Sequence, residues 1–217
     1  MVYSKQQQEV IPMIQTQPTS QFTFNDALRA LQRGEAIVFP TDTLFGLGVS
    51  VQHAASPEVL YQIKHREKRK PIAWLVENID ALDTYGSDIP SYAYTLARAF
   101  WPGALTIIVR ANSAVPKAFQ SQEGTIGIRM PNSKAALDLI SALGCPIATT
   151  SANVSGGENV LSFADLDSRV LSQVSAAIND NEEKSGIAST IIDCTSKKYP
   201  TILREGAITP ADIRALM

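Results

Sequence analysis

The sequence is poor in the residues that many active sites require. It contains two cysteines and two histidines in 217 residues. Cys145 and Cys194 lack C-x-x-C spacing and have no histidine nearby, so neither a metal site nor a disulfide framework is expected. We expect both to be buried thiols of a reducing compartment. His53 and His65 are not accompanied by a G-x-S-x-G motif, which gives a serine or cysteine hydrolase little support.

Long apolar runs and a strong net charge are also missing. No run reaches the length of a membrane span, and the N-terminus lacks a charged region followed by an apolar one, so we expect a cytoplasmic protein that does not contact a membrane. The net charge of −2 argues against a protein that coats nucleic acid, although it leaves room for a local basic patch. There is no G-x-x-x-x-G-K-[ST] loop, and residues 46–48 lack the third glycine of the dinucleotide fingerprint.

Predicted strands and helices alternate along the chain, which indicates an α/β fold. Because some predicted strands are adjacent, the sheet should be mixed rather than purely parallel. We expect a polar N-terminal segment over residues 1–21, with an apolar island at 10–14 that could form an edge strand, and a single domain over 22–217. The predicted strands are 36–39, 72–76, 104–109, 125–130, 146–150, 189–193 and 201–204. The predicted helices begin near Thr23 or Asn25, Ser56, Ser91, Ser133 and Thr209, and a further helix is predicted over 165–178.

Polar residues follow the first strong strand. Residues 36–39 form a short apolar run, and Thr41, Asp42 and Thr43 come directly after Pro40. If the backbone stays extended, the two threonines face one side and Asp42 the other. Gly46 and Gly48 would then allow a sharp turn or the close approach of a ligand. A strand followed by an ordinary glycine turn fits this pattern as well.

A basic run and several polar strand ends suggest where the chemistry takes place. Five of the seven residues from Lys64 to Lys70 are Lys or Arg. This run is either a solvated helix end or a clamp for a polyphosphate. Arg129 lies on the polar face of strand 125–130, and the turn at residues 151–157 carries hydroxyl and amide groups ahead of two glycines. A site built from hydroxyls, amides and cations suits phosphoryl or nucleotidyl transfer.

Together these motifs resemble the YrdC-like domain family, over residues 26–206. Each motif is weak alone, but their order and rough spacing are specific. The motifs are Pro40-Thr41-Asp42-Thr43-Leu44-Phe45-Gly46-Leu47-Gly48, Lys64-x-Arg66, Thr125-Ile126-Gly127-Ile128-Arg129, Ser151-Ala152-Asn153 and Ser189-Thr190-Ile191-Ile192-Asp193.

The resemblance implies a twisted mixed sheet with flanking helices and a deep, positively charged cavity. It also implies condensation of L-threonine, bicarbonate and ATP into threonylcarbamoyl-AMP and pyrophosphate, with Mg2+ carried in on the nucleotide. A separate transferase would then pass the threonylcarbamoyl group to tRNA. By the same resemblance, Thr43, Arg129, Thr149 and Ser189 would bind threonine. Lys64, Arg66, Lys70, Thr125, Ser151, Asn153, Asn159 and Arg204 would bind ATP, with Lys64 and Arg66 as the catalytic cations.

The sequence departs from the family pattern at three positions. Phe45 replaces a common tyrosine, Glu67 replaces a proline, and Leu75 lies where some members carry a threonine-binding histidine. Two other functions stay open. One is a module that binds double-stranded RNA or tRNA without synthase activity, and the other is a relative that uses a different carbamoyl acceptor. Weak RNA binding beside synthase activity is a further expectation.

Overall fold

The computed structural model describes residues 22–65 and 72–217. Its strands are β1 (Ile37–Pro40), β2 (Phe45–Ser50), β3 (Ala73–Leu75), β4 (Gly86–Ser87), β5 (Leu105–Ala111), β6 (Thr125–Arg129), β7 (Ile147–Ser151), β8 (Ala176–Ala177), β9 (Thr190–Asp193) and β10 (Thr201–Arg204). Its helices are α1 (Phe24–Gln32), α2 (Glu58–Lys64), α3 (Ala81–Tyr85), α4 (Ser91–Phe100), α5 (Lys134–Leu143), α6 (Ser168–Leu171) and α7 (Pro210–Arg214). None of these helices is long and apolar enough to cross a bilayer.

The strands of the described residues form one mixed sheet, which confirms the predicted fold class. Their order is β10-β9-β5-β6-β3-β7-β2-β1-β8, with β4 paired to β5. The β1–β8, β3–β6 and β5–β9 pairs are parallel, and the remaining pairs are antiparallel. Helices α1 and α5 pack on each other and on β1, while α4 packs on β5. A single buried apolar cluster connects these layers.

Three helices carry the capping groups that the sequence predicts, whereas α2 begins one residue later than predicted, with Pro57 rather than Ser56 at the N-cap position. Thr23 and Asp26 form a capping box at α1, and Thr209 forms another with Asp212 at α7, where Pro210 begins the helix. Ser133 caps α5 through the amide of Ala136. These caps satisfy amide groups that the first turn of a helix leaves without partners.

The prediction of a helix over residues 165–178 is wrong. A 3-10 turn at Phe163–Asp165 and the short helix α6 occupy the first part, and β8 follows. Ile37 and Val38 pair in parallel with Ala176 and Ala177. Because Ala176 and Ala177 are buried at the edge of the sheet, their pairing with β1 overrides their local helix preference. The apolar island at residues 10–14 lies outside the described residues.

Of the two alternatives for Gly46 and Gly48, the sharp turn is wrong, whereas Gly46 lines the cavity described below, where a ligand could approach its backbone. Gly46 and Gly48 lie inside β2, which pairs with both β1 and β7. A Cβ atom on Gly48 would lie 2.7 Å from Cγ2 of Ile147 and 2.9 Å from Cε1 of Phe39. The glycine therefore allows the Phe39 ring to pack closely against the sheet.

Candidate active site

One face of the sheet opens into a cavity of about 390 Å3. Gly127 on β6 and Ala73 on β3 lie opposite each other in the floor of the cavity. Because glycine has no side chain and alanine has only a methyl group, they leave space above the sheet. Among the described residues that line it, two are arginines and none is acidic. The cavity brings together all four residues predicted for threonine and three of those predicted for ATP. These residues are Thr43, Arg129, Thr149, Ser189, Ser151, Asn159 and Arg204.

The polar turn between β1 and β2 forms one wall. Its backbone is not extended, because Thr41 donates through its amide and its hydroxyl to the carbonyl of Leu44, at 3.1 and 2.6 Å. The hydroxyl groups of Thr41 and Thr43 are 3.1 Å apart, and both side chains are buried. The segment before β9 holds this turn from outside, since the amide of Ser185 donates to the carbonyl of Asp42 at 3.1 Å.

Arg129, at the end of β6, is the central cation of the cavity. Its Nε donates to the carbonyl of Gly103 at 2.9 Å, its Nη1 to the hydroxyl of Thr43 at 3.0 Å and its Nη2 to Oδ1 of Asp42 at 2.6 Å. Burial lowers the pKa of the guanidinium, and the charge and hydrogen bond of Asp42 oppose that shift. A guanidinium has five N–H groups, so two have no partner among the described residues. Two N–H donors are what a carboxylate accepts in a forked contact.

A cluster of hydroxyl groups lies at the ends of β5 and β9. The hydroxyl groups of Ser189 and Thr106 are 2.9 Å apart, and both side chains are buried. Arg204 donates to the Ser189 carbonyl at 2.7 Å and to the Ser189 hydroxyl at 3.1 Å. Sequence reasoning missed Thr106, although it alternates with Ile108 on the cavity face of β5. That alternation could have identified it.

Lys64 is buried at the end of α2, and its ammonium group is directed into the turn after β7. It donates to the carbonyl groups of Ser151 and Asn153, to Oδ1 of Asn153 at 3.0 Å and to Oγ of Ser151 at 3.3 Å. Asn153 in turn donates to the carbonyl of Gly157 at 2.7 Å. In this structure Lys64 therefore holds the predicted ATP-binding turn in shape, and its role as a phosphate ligand stays a prediction.

The other residues predicted to bind threonine or ATP lie at different places relative to the cavity. Thr149 donates through its hydroxyl to the carbonyl of Leu47 at 3.1 Å, and Asn159 donates to the carbonyl of Gly186 at 3.2 Å. Thr125 is not in the cavity wall; it lies at the opposite end of β6 from Arg129, and its hydroxyl is 2.8 Å from that of Ser121. The structure therefore does not join Thr125 to the predicted ATP site. Arg66, Glu67 and Lys70 lie outside the described residues.

Two of the positions that depart from the family pattern border the cavity. Leu75 lies beside Arg129 in the register of β3 and β6 and supplies an apolar wall. Phe45 packs edge-on against Phe163, with a ring-centroid distance of 6.2 Å. The ammonium group of Lys184 is 5.6 Å from the Phe45 ring centroid. Packing and a cation–π contact therefore hold Phe45 in place, although it lacks the hydroxyl group of the tyrosine that is common at this position.

Comparison with known proteins identifies the family. The Sua5/YciO/YrdC profile, described as "Telomere recombination", matches residues 29–206. The chain belongs to the Sua5/YciO/YrdC family. This confirms the YrdC-like resemblance of the sequence.

Individual Sua5/YciO/YrdC proteins resemble the chain over most of its length. It is 31% identical to a threonylcarbamoyl-AMP synthase of Bacillus subtilis, covering 92% of this chain and 59% of that protein. It is 31% identical to a threonylcarbamoyl-AMP synthase of Pseudoalteromonas translucida, covering 83% and 97%. The crystal structure of Pyrococcus abyssi Sua5 complexed with L-threonine superposes with a TM-score of 0.84 at 29% identity, covering 89% and 57%. The chain thus spans less than two thirds of the Bacillus and Pyrococcus relatives.

Proposed function

We propose that the chain is an L-threonylcarbamoyladenylate synthase, a nucleotidyltransferase that makes threonylcarbamoyl-AMP and pyrophosphate from L-threonine, bicarbonate and ATP. One observation carries the proposal: the buried guanidinium of Arg129 lies in the wall of a cavity lined by hydroxyl groups, and two of its N–H donors have no partner among the described residues. The names of the Bacillus subtilis and Pseudoalteromonas translucida relatives, and the threonine complex of Pyrococcus abyssi Sua5, support it.

The threonine side of the reaction is assigned to the floor and the β1–β2 turn. Arg129 would bind the substrate carboxylate in a forked contact. The hydroxyl groups of Thr43, Thr149 and Ser189 would bind the remaining polar groups of threonine. The neutral amine adds to carbon dioxide derived from bicarbonate, loses a proton and becomes a carbamate. The apolar wall at Leu75 suits the methyl group of the substrate.

The nucleotide side is assigned to the turn after β7 and to β10. A carbamate oxygen attacks the α-phosphorus of ATP, and the bond from that phosphorus to the bridging oxygen breaks as pyrophosphate leaves. Negative charge accumulates on the departing group, so cations nearby lower the barrier. Mg2+ carried with the nucleotide would neutralise part of that charge. The protein groups assigned to this task are Lys64, Arg66, Lys70, Ser151, Asn153, Asn159 and Arg204.

The product is a mixed anhydride of a carbamic acid and a phosphate, which makes it an activated donor. We assign its use to a separate transferase that modifies tRNA in the cytoplasm. Thr125 stays a predicted ATP contact that the position of its side chain does not support. Direct binding of tRNA by this chain would be weak and secondary to synthesis.

Pyrophosphate release tests the proposal. The reaction contains the purified chain, ATP and Mg2+, with bicarbonate present or omitted and with L-threonine present, absent or replaced by L-valine. We expect release only with threonine and bicarbonate together. Pyrophosphate release that does not depend on threonine would contradict the synthase assignment. Tight tRNA binding that falls steeply with salt, without threonine-dependent release, would instead favour the RNA-binding module.

A further inference from the structure

Asp42 forms an ion pair with Arg129 but does not line the candidate active-site cavity. Its Oδ1 lies 2.6 Å from Nη2 of Arg129, and the two side chains are 17% and 8% exposed. Asp42 instead borders a second cavity, of about 890 Å3, on the other side of the β1–β2 turn. The ion pair therefore joins Asp42, which lines the second cavity, to Arg129, which lines the first.

The contacts around Arg129 fix its orientation. Each of its three nitrogen atoms has one partner: a backbone carbonyl, a threonine hydroxyl and the Asp42 carboxylate. Of these three, the carboxylate alone is charged, and hydrogen bonds between charged groups are roughly twice as strong as neutral ones. Asp42 is itself held in place, because the amide of Ser185 donates to its carbonyl.

We propose that Asp42 is a positioning residue for substrate binding: it holds the Arg129 guanidinium so that its remaining two donors face the amino-acid carboxylate. The proposal rests on the proposed function of the cavity. Without Asp42 the guanidinium would be buried beside two neutral acceptors only. It would then lose its fixed direction, and the forked contact would have to be organised during binding, at a cost in affinity.

Two other roles for Asp42 give different results. If the carboxylate only stabilised the fold, its removal would lower the melting temperature but leave substrate affinities unchanged in the folded protein. If its main effect were to repel the substrate carboxylate, its removal would tighten threonine binding. If Asp42 positions Arg129, its removal weakens threonine binding but not ATP binding, and it has no further effect once Arg129 is replaced.

The test compares Asp42→Ala and Asp42→Asn with the parent chain and with Arg129→Ala. Asp138→Asn is the matched control, because Asp138 borders the same second cavity and pairs with the exposed Lys134 at 2.6 Å. Steady-state pyrophosphate release gives KM for threonine and for ATP, and calorimetry with threonine alone gives its Kd. Circular dichroism confirms folding.

We expect Asp42→Ala to raise KM and Kd for threonine by roughly tenfold, with KM for ATP unchanged. Asp42→Asn, which keeps an oxygen acceptor in the same place, should cause a smaller rise, and Asp138→Asn none. In the Arg129→Ala background, Asp42→Ala should cause no further loss, because the two residues act as one unit.

Unchanged or tighter threonine binding in Asp42→Ala would overturn the proposal, as would an equal rise in the KM for ATP or an additive loss in the double variant. If Asp42→Ala does not fold, the same comparison is made with Asp42→Asn. If the parent chain binds threonine but releases no pyrophosphate, the proposed function fails while the calorimetric comparison still decides the role of Asp42.

Discussion

Lys64 and Asn153 are 89 residues apart in the sequence, and yet the Lys64 ammonium group lies 3.0 Å from the side-chain oxygen of Asn153. This contact ties the end of α2 to the turn after β7. The sequence presents both residues as nucleotide ligands. The structure adds that Lys64 holds Asn153 in place, so a loss of Lys64 should affect both the fold and the proposed nucleotide site.

We expect Lys64→Met to lower the free energy of unfolding by about 1–3 kcal/mol, because it removes the buried donor that serves several acceptors of this turn. Denaturant unfolding measures this loss. KM for ATP should rise as well, since the turn loses its shape. Lys117→Met is the control, because that lysine is exposed. A Lys64→Met variant as stable as the parent chain would show that the turn does not depend on the ammonium group.

Arg129→Ala should raise KM for threonine more than tenfold, because charge-assisted hydrogen bonds contribute about 1.5–3 kcal/mol each. KM for ATP should change little. Arg129→Lys keeps the charge but loses the planar fork, so it should recover only part of the affinity. Kinetics of pyrophosphate release at varied threonine and varied ATP separate these effects. A variant that lost ATP affinity and kept threonine affinity would reverse our division of the cavity.

Lys184 and Asp180 form a buried ion pair near the β1–β2 turn, at 2.7 Å and with side chains that are 1% and 14% exposed. Lys184→Met leaves the Asp180 carboxylate without its buried partner, and we expect a loss of about 3–5 kcal/mol of stability.

Lys134→Met offers a matched comparison for this loss. Lys134 and Asp138 form a pair with the same spacing in sequence, but their side chains are 87% and 48% exposed. We expect this variant to lose less than about 1 kcal/mol. Thermal and denaturant unfolding of both variants provide the comparison. Equal losses would mean that burial does not govern the contribution of the Lys184 pair.

Gly48→Ala should destabilise the fold by about 1–3 kcal/mol, because the added methyl group has no space between Ile147 and Phe39. The double variant Gly48→Ala/Phe39→Leu should regain part of this loss, since the smaller side chain relieves one of the two clashes. Denaturant unfolding of the parent chain, Gly48→Ala, Phe39→Leu and the double variant gives the coupling between the positions. No destabilisation in Gly48→Ala would show that the close packing of the Phe39 ring does not require a glycine.

Local signals predicted much of the fold. Strand β6 alternates in sequence, and the structure places Gly127 and Arg129 on the cavity face with Ile126 and Ile128 buried on the other. Ser91–Phe100 forms a helix as expected. The sequence does not predict strand β2, because two glycines weaken its strand pattern, and their reason is the close approach of distant residues such as Phe39 and Ile147. The error over residues 165–178 has a related origin at its end, since pairing with β1 decides the structure of Ala176 and Ala177.

For the candidate site, the residues could be predicted from the sequence, but the contacts between them could not. The family resemblance predicted Thr43, Arg129, Thr149 and Ser189 as one group, and strand alternation supported this for Arg129, on the polar face of its strand. The internal pairings of the site could not be predicted. Neither the contact of Asp42 with Arg129 nor that of Lys64 with Asn153 follows from local sequence, since each depends on how distant segments pack.

The identity of the reaction product provides the most direct measurement. The chain is incubated with ATP, Mg2+, L-threonine and 13C-labelled bicarbonate, and the nucleotide products are separated and analysed by mass spectrometry. We predict a threonine conjugate of AMP that carries one labelled carbon and forms together with pyrophosphate. A labelled product without threonine, or AMP formed with no conjugate at any time point, would contradict the synthase assignment.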